Sequence, residues 1–444
     1  MKQTIIITLL LFVGFTNAQE KEIYAFTLDQ AIEHALQNNY KAINASRDIE
    51  SAKQKKWETT ASGLPQINGT VNYQNNFVLQ KSVVPAEFFG GNPGEFQEVE
   101  FGTKHNMTAN GSLSQLIFDG SYIVALQASK TYLQYYQNNK IKTDNEIREM
   151  VTNYYGNVLL AKESVAILEK NKSTLEKNLF DTQETYKNGL IEEESVEQLQ
   201  ITLASINSSL SNTNRLVDIS TKMLKIALGL DIDDSLELTD QLDDLTIKKV
   251  DLSFGNETFE VKNNIDYQIA ENFKEQRRLE YKLQKAAYLP TLSASANFGY
   301  NSFSNEFTFF NQDQKWFNFS YLGVNLNVPI FSSFGKRAKN QQAQIAYEQA
   351  QTQLTEAEQM LKLQYETAKS DYEYSIEQYA TSKSNLKLAE RIENKQQIKF
   401  KEGLSTSFEF SEAQRQLYAA QQSYLQSMID VINKKTTLDK ITNK

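Results

Sequence analysis

The chain of 444 residues carries a formal net charge of −9 and contains no cysteine, and both properties exclude classes of function. An acidic chain without a basic patch is not expected to bind nucleic acid, because phosphate binding requires basic side chains that release counterions. Without cysteine the chain can form neither disulfides nor thiolate metal sites. The two histidines, His34 and His105, are too far apart in sequence to form a local metal motif, so no metal site is predicted.

The N-terminus has the pattern of a secretory signal peptide over residues 1–18. Lys2 precedes a short apolar run from Ile5 to Val13, and the small residue Ala18 offers a cleavage position. We therefore expect the mature chain to leave the cytoplasm. No later stretch reaches the roughly 18 apolar residues that a spanning helix needs, so any membrane crossing is expected to use strands.

An internal duplication runs through the chain and is marked by three pairs of similar segments. Residues 63–67 resemble 288–292, residues 116–118 resemble 329–331, and residues 186–190 resemble 400–404. The first pair is farther apart than the other two pairs, so we place an insertion in the first copy, within the polar, glycine-rich stretch 80–104. The predicted repeats are residues 19–262 and 263–444.

Each repeat is predicted to contain two strands, because the apolar period changes from helical to alternating after each Leu-Pro step. In the first strand Ile67, Val71 and Tyr73 alternate with polar residues. The four predicted strands cover about residues 66–78, 106–117, 291–303 and 320–330. One apolar and one hydroxyl- or amide-bearing face suit a barrel wall between lipid and water. Four strands cannot close a barrel alone, whereas three protomers would supply twelve strands. The alternative is a soluble β-sandwich.

The remaining sequence is predicted to be helical. Residues 120–187 contain no proline, and residues 331–403 have the same character. Helices of about 70 residues would each extend roughly 105 Å, so they are expected to be rods. Shorter helices would return along them within residues 28–61, 190–228, 265–287 and 404–442. The predicted fold is mixed α and β, with a long α-helical coiled-coil barrel and a four-strand contribution to a trimeric 12-stranded transmembrane β-barrel.

The order of these segments resembles that of TolC-like outer-membrane efflux proteins, also called outer membrane factors. Residues 27–39 are similar to the family's opening helix, residues 61–67 to its first strand start, and residues 264–267, 286–292 and 329–331 occupy matching places in the second copy. The resemblance implies a homotrimer in the outer-membrane lipid of a Gram-negative-type bacterium that extends into the periplasm. It also implies docking onto a periplasmic adaptor (membrane fusion protein) and an inner-membrane pump, for efflux or type I secretion. The sequence does not identify the cargo, and drugs, metals and proteins are all alternatives.

Two segments resemble the family's periplasmic tip turns, where the adaptor is expected to dock. They contain Tyr186, Asn188, Gly189 and Leu190 in the first repeat, and Phe400, Glu402, Gly403 and Leu404 in the second. In each turn the glycine permits a left-handed backbone and the leucine offers an apolar contact. A plain glycine helix stop is the alternative for each turn.

The resemblance also implies a narrow periplasmic entrance formed by Phe400, Ser405, Glu409 and Glu412. Because Glu409 and Glu412 are three residues apart on a helix, three copies would concentrate negative potential and favour cations. A solvated helix face is the alternative. The family's closing aspartate, tyrosine and arginine are replaced here by Ser195, Phe400 and Ser405. If the entrance rests closed, we therefore expect packing of Phe400, not a salt bridge, to hold it.

No catalytic site or cofactor is predicted. Ser333 and Lys336 have the Ser-x-x-Lys spacing of acyl enzymes, but the accompanying motifs are absent and no phosphate-binding loop is present. The main alternative is a secreted or surface coiled-coil structural or adhesion protein, which leaves the strands and the duplication unexplained. An adaptor would lack the repeated Leu-Pro strand start. The acidic segment 230–252 is expected to link the two repeats. We have no functional explanation for its negative charge.

Overall fold

The computed structural model describes residues 23–250 and 259–443, so the predicted signal peptide lies outside the described residues. The chain forms two compact units, and each draws on both halves of the sequence. The first, here called the helical unit, comprises Met1–Arg47, Asn138–Gln268 and Ala357–Lys444. The second, called the sheet unit, comprises Asp48–Gln137 and Ile269–Glu356.

Six of the helices in the described ranges form three pairs of equal or nearly equal length. In chain order they are α1 Leu28–Asn38, α2 Tyr40–Ala61, α3 Gly120–Lys187, α4 Glu193–Leu228, α5 Leu242–Lys249, α6 Ile265–Ala286, α7 Gly335–Lys401 and α8 Ser407–Thr442. Helices α3 and α7 have 68 and 67 residues, α4 and α8 have 36 each, and α2 and α6 have 22 each. A duplication would produce such pairs, although the boundary between the two repeats stays a prediction. No helix within the described ranges is long and apolar enough to span a membrane.

The sheet unit contains one antiparallel sheet of four strands. In chain order the strands of the protein are β1 Ile23–Phe26, β2 Gln66–Asn75, β3 Lys81–Pro85, β4 Phe96–Glu100, β5 His105–Asp119, β6 Ser235–Leu238, β7 Thr291–Ser304 and β8 Phe317–Asn327. Strands β2, β5, β7 and β8 pair in that order. The four predicted strands are present, and their ends differ from the predicted ends by a few residues. The predicted class of mixed α and β structure is confirmed.

The stretch 80–104, predicted to be an insertion in the first repeat, contains a hairpin that sequence reasoning did not foresee. Strands β3 and β4 pair with each other, and a short 3-10 helix, Ala86–Phe89, lies between them. Each strand has only five residues, so the alternating pattern is too short to stand out beside glycine and proline.

The acidic segment beginning at residue 230 is packed into the helical unit. Strand β6 pairs in parallel with β1, and Leu242 and Leu245 of α5 are buried in the main core. The carboxylate of Asp240 accepts hydrogen bonds from the N–H of Leu28 at 2.7 Å and from the hydroxyl of Tyr155 at 3.1 Å. The segment therefore attaches the start of α1 to the middle of α3. Four-residue strands were too short to be predicted.

Candidate docking tip and channel entrance

Helices α3 and α7 end in the same backbone motif. Gly189 and Gly403, just beyond them, have left-handed φ angles of +74° and +70°. Each glycine N–H donates to a carbonyl three residues earlier, and the next N–H, of Leu190 or Leu404, donates to a carbonyl five residues earlier, at 3.2 and 2.8 Å. This is the Schellman arrangement, which satisfies the last carbonyls of a helix. The two segments predicted as tip turns thus have equivalent geometry.

The leucines of these two turns lack the apolar contact that usually accompanies the motif. Leu190 and Leu404 are 75% and 77% exposed. The end of α4 provides an internal comparison, because Gly229 has a φ of +79° and the N–H of Leu230 makes the same bond. Leu230 is only 7% exposed and belongs to the main core. The same turn therefore buries its leucine within the protein at one site and presents it to solvent at the other two.

Alanine at the three glycines is expected to separate backbone strain from steric clash. At Gly189 and Gly403 an added Cβ would meet no atom within 4 Å, so only the left-handed conformation costs energy, about 1–2 kcal/mol. At Gly229 the Cβ would lie 2.2 Å from the carbonyl oxygen of Asn38. We expect Gly229→Ala to lower the thermal unfolding temperature more than Gly189→Ala or Gly403→Ala. Equal shifts for all three variants would contradict this packing.

The structure brings the two turns together around one cleft of about 950 Å³. Of the predicted docking and entrance residues, five line the cleft: Leu190 from the first turn, and Phe400, Glu402, Gly403 and Ser405 from the second. The remaining six do not line it: Tyr186, Asn188, Gly189, Leu404, Glu409 and Glu412. The hydroxyl of Ser195 lies 3.2 Å from that of Ser407, so the starts of α4 and α8 are also in contact.

Phe400 packs against α8 of its own chain. Its ring stacks on that of Phe410, with centroids 5.2 Å apart and planes inclined by 11°. Phe410 is fully buried in a small cluster with Leu175, Leu199 and Ile206. Sequence reasoning selected Phe400 but missed Phe410, although the buried residues of α8 recur at helical spacing. The contact fixes the start of α8 against the end of α7.

Glu409 closes the start of α8. Its carboxylate accepts hydrogen bonds from the N–H of Thr406 at 3.0 Å and from the hydroxyl of Ser405 at 2.9 Å. The Thr406 hydroxyl accepts in return from the N–H of Glu409, which completes a capping box. The N–H of Thr406, followed by the Ser405 hydroxyl, holds the pKa of Glu409 below its usual value. The stabilisation from the ionised carboxylate is therefore present at neutral pH and is lost as pH falls through that lowered pKa.

Glu412, the second predicted entrance carboxylate, has a different environment. It forms an ion pair with Arg415 and accepts a hydrogen bond from the amide of Gln416 at 3.2 Å. Glu409 is thus bonded by neutral groups, whereas Glu412 is paired with a cation one turn along the same helix. Sequence reasoning could place both on one face but could not foresee these unequal partners.

Sequence reasoning also missed a half-buried carboxyl group near the tip. Burial raises the pKa of Glu393 on α7 above its usual value. The pKa of Tyr418 is also raised, first by its own burial and second by the negative charge of Glu393. A glutamate within a long helix rich in charged residues carries no pattern that would distinguish it. Its burial follows only from the packing of α7 with α8.

Residues 261–444 match the model of the family described as outer membrane efflux protein. The match covers less than half of the chain, and this segment is similar to the outer membrane efflux proteins. The resemblance found in the sequence is therefore confirmed. A comparison with curated protein sequences gives no match.

Solved structures with the same fold cover most of the chain. The channel CusC is 17% identical, with a TM-score of 0.76 over 94% of this chain and 92% of its own. VceC from Vibrio cholerae is 15% identical, with a TM-score of 0.71 over 94% and 95%. CmeC from Campylobacter jejuni is 17% identical, with a TM-score of 0.72 over 94% and 85%. At these identities the likeness establishes the fold, which is that of TolC-like outer membrane channels.

Proposed function

We propose that the chain is one protomer of a homotrimeric outer-membrane duct that docks onto a periplasmic adaptor and an inner-membrane pump. The observation that carries the proposal is the pair of open edges on the four-stranded sheet. Strands β2 and β8 each pair on one side only within the described residues. Because neighbouring strands alternate in direction, β8 of one copy would run antiparallel to β2 of the next. Three copies would then close twelve strands without a free edge.

The two faces of the sheet suit a wall between lipid and water. The strand register aligns Ile67, Leu113, Ala296 and Leu322 in one apolar row across all four strands. The neighbouring row on the opposite face begins with Asn68, Ser112 and Asn297, which carry amide and hydroxyl groups. Such alternation is typical of membrane β-barrels with an aqueous interior.

The proposal is tested by the size and detergent dependence of the mature protein. We expect extraction from outer membranes only with detergent, and a trimer by light scattering corrected for bound detergent. The same preparation should conduct ions in a planar lipid bilayer. A water-soluble monomer or dimer would overturn the duct and favour the secreted coiled-coil alternative.

The exposed tip leucines support the docking part of the proposal. Leu190 and Leu404 follow the same backbone motif and are both exposed, and Leu190 lines the cleft between the two turns. A helical hairpin of an adaptor would supply the apolar contact that Leu230 finds inside its own chain. The duct itself supplies no energy, so the pump drives transport.

At the entrance we expect Glu409 to influence ion selectivity more than Glu412. Neutral groups donate the hydrogen bonds to the carboxylate of Glu409 and the charge of Lys399 has a smaller effect on it, whereas Arg415 forms an ion pair with Glu412. Glutamine can retain the capping box, so Glu409→Gln removes the charge without removing the cap. We expect Glu409→Gln to lower cation preference more than Glu412→Gln, as measured by the reversal potential in a salt gradient. A larger effect of Glu412→Gln would reverse the assignment.

A further inference from the structure

The segment that joins β8 to α7, residues 328–339, begins with exposed apolar side chains and is here called the basic junction. Strand β8 carries apolar residues at alternate positions, among them Leu322 and Leu326. The alternation continues beyond the end of the strand with Val328 and Ile330, and Ile330 is 93% exposed. The apolar pattern of the sheet therefore extends into the junction.

Two aromatic rings follow in the basic junction. The rings of Phe331 and Phe334 are exposed and stack edge to face, with centroids 6.0 Å apart. Ser333 and Phe334 have left-handed φ angles of +47° and +62°, which are unfavourable for residues with a Cβ. Such backbone strain is retained where a function compensates for it. The junction thus holds two apolar rings in a position that the described residues leave open.

Basic side chains complete the junction. The Nζ of Lys336 donates to the carbonyl of Ala287 at 2.7 Å and lies 5.9 Å from the centroid of the Tyr288 ring, so this lysine is held by its own chain. Arg337 and Lys339 are exposed, and their side chains form no hydrogen bond or ion pair with the described residues. These two side chains are therefore available to an anionic partner.

The positive charge of this region is not shared by the matching region of the first repeat. Residues 281–290 and 327–339 contain no acidic residue and five basic ones, Lys282, Lys285, Lys336, Arg337 and Lys339. The matching segments of the first repeat, 56–65 and 114–126, contain three charged residues, Lys56, Glu58 and Asp119. A chain with a net charge of −9 thus concentrates positive charge at one of two equivalent places.

The order of side chains in the junction is typical of the boundary between a membrane and water. Apolar side chains suit the hydrocarbon region, aromatic rings collect at the interface, and lysine and arginine bind anionic headgroups beside it. A second copy is a poorer complement. If its β2 lay beside β8, it would bring residues 56–65 to this end of the sheet, and the charges of Lys56 and Glu58 cancel.

We propose that the basic junction binds the anionic headgroups of membrane lipids. Arg337 and Lys339 would contact the phosphates, and Ile330, Phe331 and Phe334 would lie in the adjoining acyl region. The inference rests on the duct proposed above, because it requires the sheet to stand in lipid. It adds one headgroup site per protomer, in the second repeat only, and this site would help to fix the depth of the barrel in the membrane.

Local quenching by labelled lipids tests the site, because the natural chain contains no cysteine. A fluorescent dye is attached to Ser333→Cys, an exposed position, and the whole protein is reconstituted into phosphatidylcholine vesicles. The vesicles contain a trace of phosphatidylglycerol or of phosphatidylcholine with a nitroxide on its acyl chain. We expect the anionic lipid to quench the dye about fivefold more efficiently, the effect of one basic side chain near an anionic surface.

Arg337→Gln with Lys339→Gln should bring the ratio of the two quenching efficiencies close to one. The matched control is Arg391→Gln with Lys395→Gln, since these residues are also exposed on α7 but belong to the helical unit. The control should keep the fivefold preference for the anionic lipid. A preference that survives in the Arg337 and Lys339 variant would overturn the headgroup site.

Separate measurements distinguish this site from the duct. If a trimer conducts ions but neither lipid quenches its dye, the headgroup site is overturned, the duct is retained, and a protein surface covers the junction. Equal quenching by the two lipids would place the junction in lipid without headgroup recognition and would also overturn the site. Absence of any membrane-embedded trimer would overturn the site and the duct together.

Discussion

Replacing Leu190 and Leu404 together by aspartate is expected to abolish adaptor docking while leaving the yield and oligomeric state of the protein unchanged. Both side chains are exposed, so their loss removes no internal packing. Apolar anchors at the centre of an interface each contribute about 2 kcal/mol or more, which corresponds to roughly 30-fold in affinity per site. Buried unpaired carboxylates would weaken the contact further.

The measurement is photo-cross-linking in cells from a photoreactive amino acid placed at Glu402, which lines the same cleft as Leu190. With wild-type leucines we expect a cross-link to a periplasmic protein that contains a helical hairpin. The double variant should lose this product. Cross-linking that persists in the double variant would show that the tip turns are plain helix stops.

Leu230→Asp is the matched control for this experiment, since the same backbone motif positions Leu230 within the core. We expect this variant to lose folded protein, because a buried carboxylate replaces a buried leucine at a cost of several kcal/mol. A variant that loses docking through misfolding would resemble Leu230→Asp in yield. The tip variant should instead resemble wild type, which separates a lost contact from a lost fold.

The parts of the fold that could be predicted from sequence are those with a long, regular pattern. The alternation of Ile67, Val71 and Tyr73 predicts a strand, and the absence of proline over residues 120–187 predicts a single helix; both are present. The parallel pair of β1 and β6 was missed because its four-residue strands are stabilised by tertiary contacts such as that of Asp240 with Tyr155. Local propensity has little influence on such short segments.

At the tip, sequence reasoning found residue positions but not their partners. Gly189 and Gly403 could be selected because left-handed backbone favours glycine. The bonds of Glu409 depend on which rotamer reaches the N–H of Thr406, and the stacking of Phe400 depends on how α8 packs against α7. A one-dimensional pattern contains neither. The same limit applies to Glu393, whose burial arises between two helices.

Phe400→Ala is expected to increase the current through the channel if the entrance rests closed. The Phe400 ring stacks on Phe410 and thereby holds the start of α8 against the end of α7. Removing the ring eliminates the aromatic pair and part of the apolar burial, which together stabilise the tip by about 2–3 kcal/mol. The cluster around Phe410 is small, so we expect this loss to loosen the tip locally and leave the main core folded.

Phe408→Ala provides the control, because Phe408 is the same residue type on the first turn of α8 but is exposed and outside the cluster. We expect its single-channel current to equal that of wild type. Phe410→Ala should act in the same direction as Phe400→Ala and more strongly, since Phe410 is fully buried. Current through Phe400→Ala no greater than through wild type would contradict the packing explanation. If the current increased in Phe410→Ala but not in Phe400→Ala, closure would depend on the buried cluster and not on the Phe400 ring.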